Sequence, residues 1–273
     1  MKKEIEKIIK DAIDELIKNT ISNKKLASIK QKQKAKIHFI PFRYRVLGAI
    51  LQSMNIQFGN FLEKTIKNII ELNSNNKIIN ELSGKKKIKF QVSKESIELI
   101  DEYILKCQTQ NFTDKELENE YNHLIDSIIL AEKKQNSQTK SFIHDIDLLF
   151  KKKDTGEIVY VEIKYNDDHD TGKFIDINRK FLYTTALLIR KYKINKPSQI
   201  KPVLMYFNNK KMKGNIYIPE NLTIYRGKRF FDTFTTVDYN DIDYTFKNIS
   251  KNKEINKKFD KLCNRILNKS NTP

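Results

Sequence analysis

The stretch SFIHDIDLLFKKKDTGEIVYVEIKY, residues 141–165, decides the predicted fold of this chain. Apolar and polar residues alternate over Phe142–Phe150, and β-branched and aromatic residues fill Ile158–Tyr165, as is typical of strands. The residues Asp-Thr-Gly at 154–156 between them favour a tight turn. The sequence therefore predicts a β-hairpin, followed by a polar loop and a helix at residues 173–192.

One face of this hairpin carries the charged residues that point to chemistry. Successive side chains of a strand point to opposite faces, so Glu162 shares a face with Lys164, and Asp145 shares one with Asp147. Carboxylate oxygens suit Mg²⁺, which can activate a water for attack on a phosphodiester. A neighbouring lysine can orient that water or neutralise the charge that develops. We therefore predict phosphodiester hydrolysis, with Asp147, Glu162 and Lys164 as catalytic residues.

The Glu-x-Lys pattern alone is a weak signal in a chain so rich in lysine. Residues 132–134, Glu-Lys-Lys, also match it, but they lie in a predicted helix and receive no role. Glu162 differs because its strand follows a strand with aspartates and a tight turn. The alternative interpretation is an ordinary surface hairpin with its charged residues facing the solvent.

The overall charge favours a nucleic acid as partner. The chain has 52 Lys and Arg against 34 Asp and Glu, a net charge of +18. Lysine-rich sequences also arise from AT-rich coding, but a protein this basic usually binds a polyanion. Each basic residue near the hairpin or beside aromatic residues could contact DNA or could simply be solvated. The predicted DNA-binding residues are Arg43, Arg45, His169, Lys173, Arg179, Lys180, Arg226, Lys228 and Arg229.

Hydrophobic periodicity divides the chain into a mainly helical N-terminal part, residues 1–135, and a mixed α/β core, residues 136–273, which contains the hairpin with the predicted catalytic residues. The two cysteines, Cys107 and Cys263, form no metal-binding or disulfide pattern and fit a reducing cytoplasm. No apolar run is long enough to predict a membrane span. Further helices are predicted at 4–18, 56–72, 94–106 and 114–134, and further strands at 88–92, 203–207 and within 216–225.

The arrangement Asp147…Glu162-Ile163-Lys164 resembles the PD-(D/E)XK nuclease superfamily. The segments YVEIKYNDDHDTGK, residues 160–173, and DINRK, residues 176–180, resemble type II restriction endonucleases more narrowly, in the branch that includes HinfI. The resemblance covers about residues 40–240. It implies an α/β fold, a restriction-endonuclease-like core whose central mixed β-sheet is flanked by helices. It also implies Mg²⁺-dependent cleavage of double-stranded DNA at a short specific sequence, 5′-phosphate ends, a homodimer and a cognate DNA methyltransferase as functional partner.

The sequence departs from the family pattern at one point. The proline that precedes the first aspartate is absent, because Ile146 precedes Asp147. This leaves open whether Asp147, which we prefer, or Asp145 is the metal ligand beside Glu162. Many such nucleases also carry a glutamate on a helix before the hairpin, and Glu63 is the matching residue here, although it could equally be a solvated helix residue. The alternative functions are a repair or structure-specific nuclease and a non-catalytic basic nucleic-acid-binding protein.

Overall fold

The computed structural model of the chain describes residues 2–134 and 137–267. Its contacts divide the chain into two compact units. The first, called the helical unit, is drawn from Met1–Ile69 and Val237–Pro273. The second, called the sheet unit, is Ile70–Thr236 and contains the predicted hairpin.

The sheet unit is built on a mixed central sheet, as predicted. Among the described residues this sheet has five strands in the order β1-β4-β5-β6-β7. The pairs β1–β4 and β4–β5 are antiparallel, whereas β5–β6 and β6–β7 are parallel. The separate strands β2 and β3 form an antiparallel pair. The strands are β1 (Asn76–Ile78), β2 (Gly84–Ser93), β3 (Thr139–Ile146), β4 (Leu148–Lys152), β5 (Ile158–Lys164), β6 (Ile200–Tyr206) and β7 (Ile224–Arg226).

The predicted hairpin is confirmed as β4 and β5, but the first predicted strand is not continuous. It breaks at Asp147, so that β3 pairs with β2 while β4 joins the central sheet. The Asp147 carboxylate accepts a hydrogen bond from the backbone N–H of Ile163 at 2.8 Å, which ties the break to β5. Because Leu148 is paired with Val161, the break lies across from the middle of β5.

Helices cover the sheet because their apolar faces match its buried residues. The long helices are α4 (Lys94–Thr109), α5 (Asp114–Lys133) and α6 (Thr171–Tyr192). Ile104, Ile128, Phe181 and Leu204 belong to one buried cluster, which joins these helices to β6. Asp170 caps the start of α6 by accepting a hydrogen bond from the backbone N–H of Lys173 at 2.9 Å.

Between residues 216 and 225 the structure differs from the sequence prediction. Only the end of this segment is a strand, β7, and it follows a short helix, α7 (Glu220–Thr223). Pro219 stands at the start of that helix, where its missing N–H is no loss, and its carbonyl accepts a hydrogen bond from Thr223 Oγ1 at 2.8 Å. The unit ends with α8 (Gly227–Phe234).

The helical unit contains α1 (Lys2–Ile21), α2 (Asn23–Lys34), most of α3 (Phe42–Glu71), α9 (Tyr239–Ser250) and α10 (Lys253–Leu267). The helix predicted at 4–18 is confirmed, because Ile5, Ile9 and Ala12 are buried at helical spacing. The helix predicted at 56–72 begins earlier, directly after Pro41. A proline disfavours a helix on its N-terminal side but is compatible with a helix that follows it. None of the described helices meets the length and hydropathy that a membrane span requires.

The two units differ from the division predicted at residue 135. Helices α4 and α5 lie in the sheet unit because their buried residues, such as Ile100 and Ile129, belong to its core cluster. Helices α9 and α10 lie in the helical unit, where Ile266 joins a cluster with Leu26, Val46 and Ile50. Helical content along the chain therefore does not coincide with packing.

Candidate active site

Glu162 is the most deeply buried acidic residue of the predicted site. It lies in β5, between β4 and β6, and its side chain is only 1% exposed. A carboxylate removed from water in this way requires hydrogen-bond partners. Its Oε2 accepts a hydrogen bond from the Tyr160 hydroxyl at 3.0 Å, and its Oε1 accepts from Lys164 Nζ at 2.7 Å and from Lys180 Nζ at 2.9 Å.

Asp147 shares the same two ammonium groups. Lys164 Nζ lies 3.6 Å from Asp147 Oδ2, and Lys180 Nζ lies 3.9 Å from Asp147 Oδ1. The Asp147 side chain is 10% exposed, so this carboxylate is also largely withdrawn from water. The structure therefore brings Asp147, Glu162 and Lys164 together, and it adds Lys180 to them.

The two carboxylates have different proton affinities. Burial by itself would raise the pKa of Glu162, but Lys164 and Lys180 outweigh it and hold that pKa below its ordinary value. Burial, together with repulsion from Glu162, raises the pKa of Asp147 despite the same two lysines. Burial and the charge of Glu162 also raise the pKa of Tyr160 well above its ordinary value, so its hydroxyl remains a hydrogen-bond donor.

The donor set fits a magnesium ion. Mg²⁺ is usually held by one or two carboxylates and completes its shell with water and substrate phosphates. Within residues 2–134 and 137–267, no three acidic, histidine or cysteine side chains are grouped as a ready-made metal site. A divalent cation held by Asp147 and Glu162 would therefore take its other ligands from water or from DNA.

Asp145, the alternative ligand, has a different environment. Its carboxylate accepts a hydrogen bond from the backbone N–H of Lys87 at 2.6 Å, within the two-stranded sheet. The strand break before Leu148 separates the surroundings of Asp145 and Asp147, which the continuous predicted strand would have kept on one face. The geometry favours Asp147 as the partner of Glu162.

Helix α6 delivers Lys180 to Glu162 from outside the sheet. Phe181, the next residue, is fully buried and its ring stacks against that of Tyr160. One turn later, Thr184 Oγ1 donates to the carbonyl of Lys180 at 2.8 Å and lies 2.6 Å from His144 Nε2. Burial and then Lys180 lower the pKa of His144, which favours its neutral form. The sequence predicted that Lys180 contacts DNA, because no spacing rule links Glu162 in a strand to a helix residue 18 positions away. Tyr160 was given no role, although strand alternation places it on the same face as Glu162.

The predicted DNA-binding residues near the hairpin have varied surroundings. The ring of His169 is half-buried against Phe174, with centroids 5.3 Å apart. Lys173 is exposed in the first turn of α6. Arg179 Nε donates to Asp101 at 3.1 Å on the surface. Their DNA contacts remain predictions.

Arg226 and Arg229 are engaged within the protein. Arg226 is buried, lies over the ring of Tyr206, and donates to Glu220 at 2.6 Å and to the fully buried Asp167 at 3.0 Å. Arg229 donates to the carbonyls of Glu220 and Asn221 in α7 and of Ile224 at the start of β7. These bonds hold both guanidinium groups in place within the protein. The DNA contacts predicted for Arg226 and Arg229 stay predictions. Lys228 pairs with Asp232 at 2.6 Å on the surface.

Three other predicted residues belong to the helical unit. Glu63 lies on α3 and is half-buried. Arg43 is exposed and lies over the ring of Tyr44. Arg45 donates to the carbonyls of Gln33 and Lys36, both at 2.8 Å, near the end of α2. The roles predicted for Glu63, Arg43 and Arg45 stay predictions.

Comparison with known proteins gives a family for this chain. The family model described as type II restriction endonuclease, HinfI, matches residues 1–250. The chain is 45% identical over 267 residues to the type II restriction enzyme HinfI of Haemophilus influenzae, and the match covers 98% of this chain and 99% of that enzyme. No solved structure gives a significant match.

Proposed function

Because the chain belongs to the HinfI family of type II restriction endonucleases, enzymes that cut DNA at specific sites, we propose that Asp147, Glu162 and Lys164 form its active site. Family membership sets aside both alternatives, a repair nuclease and a non-catalytic binding protein. The observation that carries the assignment is Glu162, a buried carboxylate in the centre of the sheet that shares two ammonium groups with Asp147. Burying that many charges costs free energy, which a structural role in a sheet does not require.

Type II restriction endonucleases generally depend on a divalent metal, and we propose Mg²⁺ here. Asp147 and Glu162 would hold the ion through their oxygens. When bound, the ion supplies Lewis-acid stabilisation of the phosphate and makes a bound water more acidic. The hydroxyl of Tyr160 keeps Glu162 in one orientation from the side opposite to the lysines.

The position of Lys164 supports the proposal that this residue assists hydrolysis. Its ammonium group lies 2.7 Å from Glu162 and 3.6 Å from Asp147, and its side chain is still partly exposed to solvent. In this proposal Lys164 orients the attacking water and balances the negative charge that grows on the phosphate. Water adds to phosphorus, the bond to the 3′ oxygen breaks, and the products carry a 5′-phosphate and a 3′-hydroxyl.

Three properties of the working system follow from this function as proposals. A homodimer would match the two-fold symmetry of a palindromic recognition sequence. A DNA methyltransferase of the same specificity would protect the host DNA, as functional partner. Both proteins would act in the cytoplasm, where the DNA lies.

The test is a plasmid digest with and without Mg²⁺. We expect discrete fragments from the wild type with Mg²⁺, and a loss of cleavage in both Glu162→Gln and Lys164→Ala. The matched control is Lys134→Ala, which removes the lysine of the other Glu-x-Lys sequence. There Glu132 is buried against Ser93 and Arg190, while Lys134 pairs with Glu95 on the surface, so this variant is expected to cut like the wild type.

A gel-shift experiment with the same plasmid fragments separates catalysis from folding. Glu162→Gln and Lys164→Ala should still retard DNA, because neither change removes the basic surface. Plasmid cleavage by either variant at the wild-type rate would refute the assignment of the active site, whatever the family of the enzyme.

A further inference from the structure

Lys180 contacts the same carboxylate oxygen as Lys164. Their ammonium nitrogens lie 2.9 Å and 2.7 Å from Glu162 Oε1, although Lys164 comes from the sheet and Lys180 from helix α6. The Lys180 side chain is 33% exposed, so it reaches the buried carboxylate from the solvent side. A cation that uses this oxygen must share it with, or displace, a positive group.

The four charges of this cluster balance. Asp147 and Glu162 contribute two negative charges when ionised, and Lys164 and Lys180 contribute two positive charges. A divalent cation added to this set leaves an excess of two positive charges in a site with little access to water. Such an excess is costly, and each DNA phosphate that enters the site reduces it by one.

We propose that Lys180 keeps the carboxylate pair neutralised in the absence of DNA, and thereby makes divalent-cation binding depend on the arrival of a DNA phosphate. This inference rests on the proposed function, because it takes Asp147 and Glu162 as the metal ligands. Lys164 is retained for the chemistry, whereas Lys180 is a positioning residue that acts through Glu162. The enzyme then binds the metal ion tightly when DNA is present and only weakly when DNA is absent.

Removal of Lys180 is expected to affect metal binding and DNA cleavage differently. The variant Lys180→Met leaves one uncompensated negative charge, so Mn²⁺ binds the DNA-free protein at least about tenfold more tightly than it binds the wild type. The rate of DNA cleavage at saturating Mg²⁺ does not rise in parallel. In this variant metal binding is no longer coupled to the arrival of DNA, and Glu162 loses one of the contacts that fix its side chain. A merely structural lysine would weaken both properties together.

The experiment measures Mn²⁺ binding to the purified full-length protein without DNA, by the electron paramagnetic resonance signal of free Mn²⁺. Lys180→Gln should repeat the tightening of Lys180→Met, and Lys180→Arg should restore wild-type affinity. The control is Lys191→Met, which makes the same charge change about 16 Å further along α6 at the usual rise per residue. A tightening by Lys191→Met of equal size would assign the effect to net charge and overturn the proposal.

Addition of Glu162→Gln to Lys180→Met distinguishes the two levels of the argument. If the double variant loses the tight Mn²⁺ binding, Glu162 is a ligand and the gain belongs to Lys180. Equal binding by the single and double variants would instead show that the metal lies elsewhere, and the proposed function of Glu162 would fail. If Glu162→Gln alone weakens binding but Lys180→Met does not tighten it, only the inference about Lys180 is wrong.

Coupling must also appear from the side of the DNA, because it is reciprocal. Binding is measured with Ca²⁺ or with a chelator, on a duplex that carries the sequence cut in the plasmid digest. Ca²⁺ should strengthen DNA binding by the wild type about tenfold more than it strengthens binding by Lys180→Met. Equal enhancement in both proteins would contradict the coupling.

Discussion

Tyr160→Phe is the substitution that tests the support of Glu162 most directly. The side chain of Tyr160 is fully buried, and its hydroxyl donates to Glu162 Oε2 at 3.0 Å. Phenylalanine keeps the ring that stacks on Phe181 and removes the hydroxyl, which donates to Glu162 and also has a hydrogen bond with the side chain of Thr184. Oε2 is then left in a buried environment with one partner fewer, while Oε1 keeps both lysines.

The expected cost can be stated from this geometry. A hydrogen bond to a charged group contributes about 1.5–3 kcal/mol to stability, more than one between neutral groups. We expect the free energy of unfolding of Tyr160→Phe to fall by about that amount in the absence of metal. We also expect its single-turnover cleavage rate to fall about 10- to 100-fold, as happens when groups that orient metal ligands are removed.

The assay pairs urea unfolding in a chelator with single-turnover cleavage of plasmid DNA. Tyr121→Phe is the matched control, because Tyr121 is also buried but its hydroxyl has no hydrogen-bond partner among the described residues. Removal of an unpaired buried hydroxyl is expected to be neutral or slightly stabilising and to leave cleavage unchanged. The reasoning fails if the two variants have the same stability and the same cleavage rate.

Two further predictions concern groups away from the catalytic pair. Burial alone would raise the pKa of Asp167, but the backbone N–H groups of Gly214 and Met212 and then Arg226 hold it below its ordinary value. Its stabilisation is therefore present above the ordinary Asp pKa and lost as pH falls through the lowered one, so the urea midpoints of wild type and Asp167→Asn should converge from about pH 4 downwards, and a pH-independent gap would contradict this. Burial raises the pKa of Cys107 to about 11, whereas Cys263 is only partly buried, so a thiol reagent should label one cysteine per native chain and two in denaturant. Rapid native labelling of Cys107 would argue against its burial.

The sequence specified the local structure well where periodicity was strong. The helices predicted at 94–106, 114–134 and 173–192 follow from helical spacing, because each buries one face. The strands predicted at 158–165 and 203–207 follow from short runs of β-branched and other apolar residues, and the corresponding strands β5 and β6 are buried on both faces. Strand alternation also placed Glu162 and Lys164 on one face of the hairpin, but it was wrong to place Asp145 there beside Asp147, because the strand breaks at Asp147. The family was also readable from the sequence, since Glu162-Ile163-Lys164 and the segment after it form a specific motif rather than a composition.

The contacts between distant segments could not be predicted from the sequence. The break at Asp147 is invisible in an alternating pattern, because it arises when two halves of one run pair with different partners, β2 and β5. Arg226 looked like a surface cation, but Asp167 and Glu220 reach it only after the chain has folded.

The sequence by itself therefore determined most of the helices and strands, the prediction that Asp147, Glu162 and Lys164 carry the chemistry, and the family. Only the tertiary structure decided that Lys180 shares the carboxylate of Glu162, and that Asp145 does not stand beside Asp147 in the same sheet. The reason is physical: local patterns record which face of an element is buried, whereas the partners of a buried charge are set by the packing of one element against another.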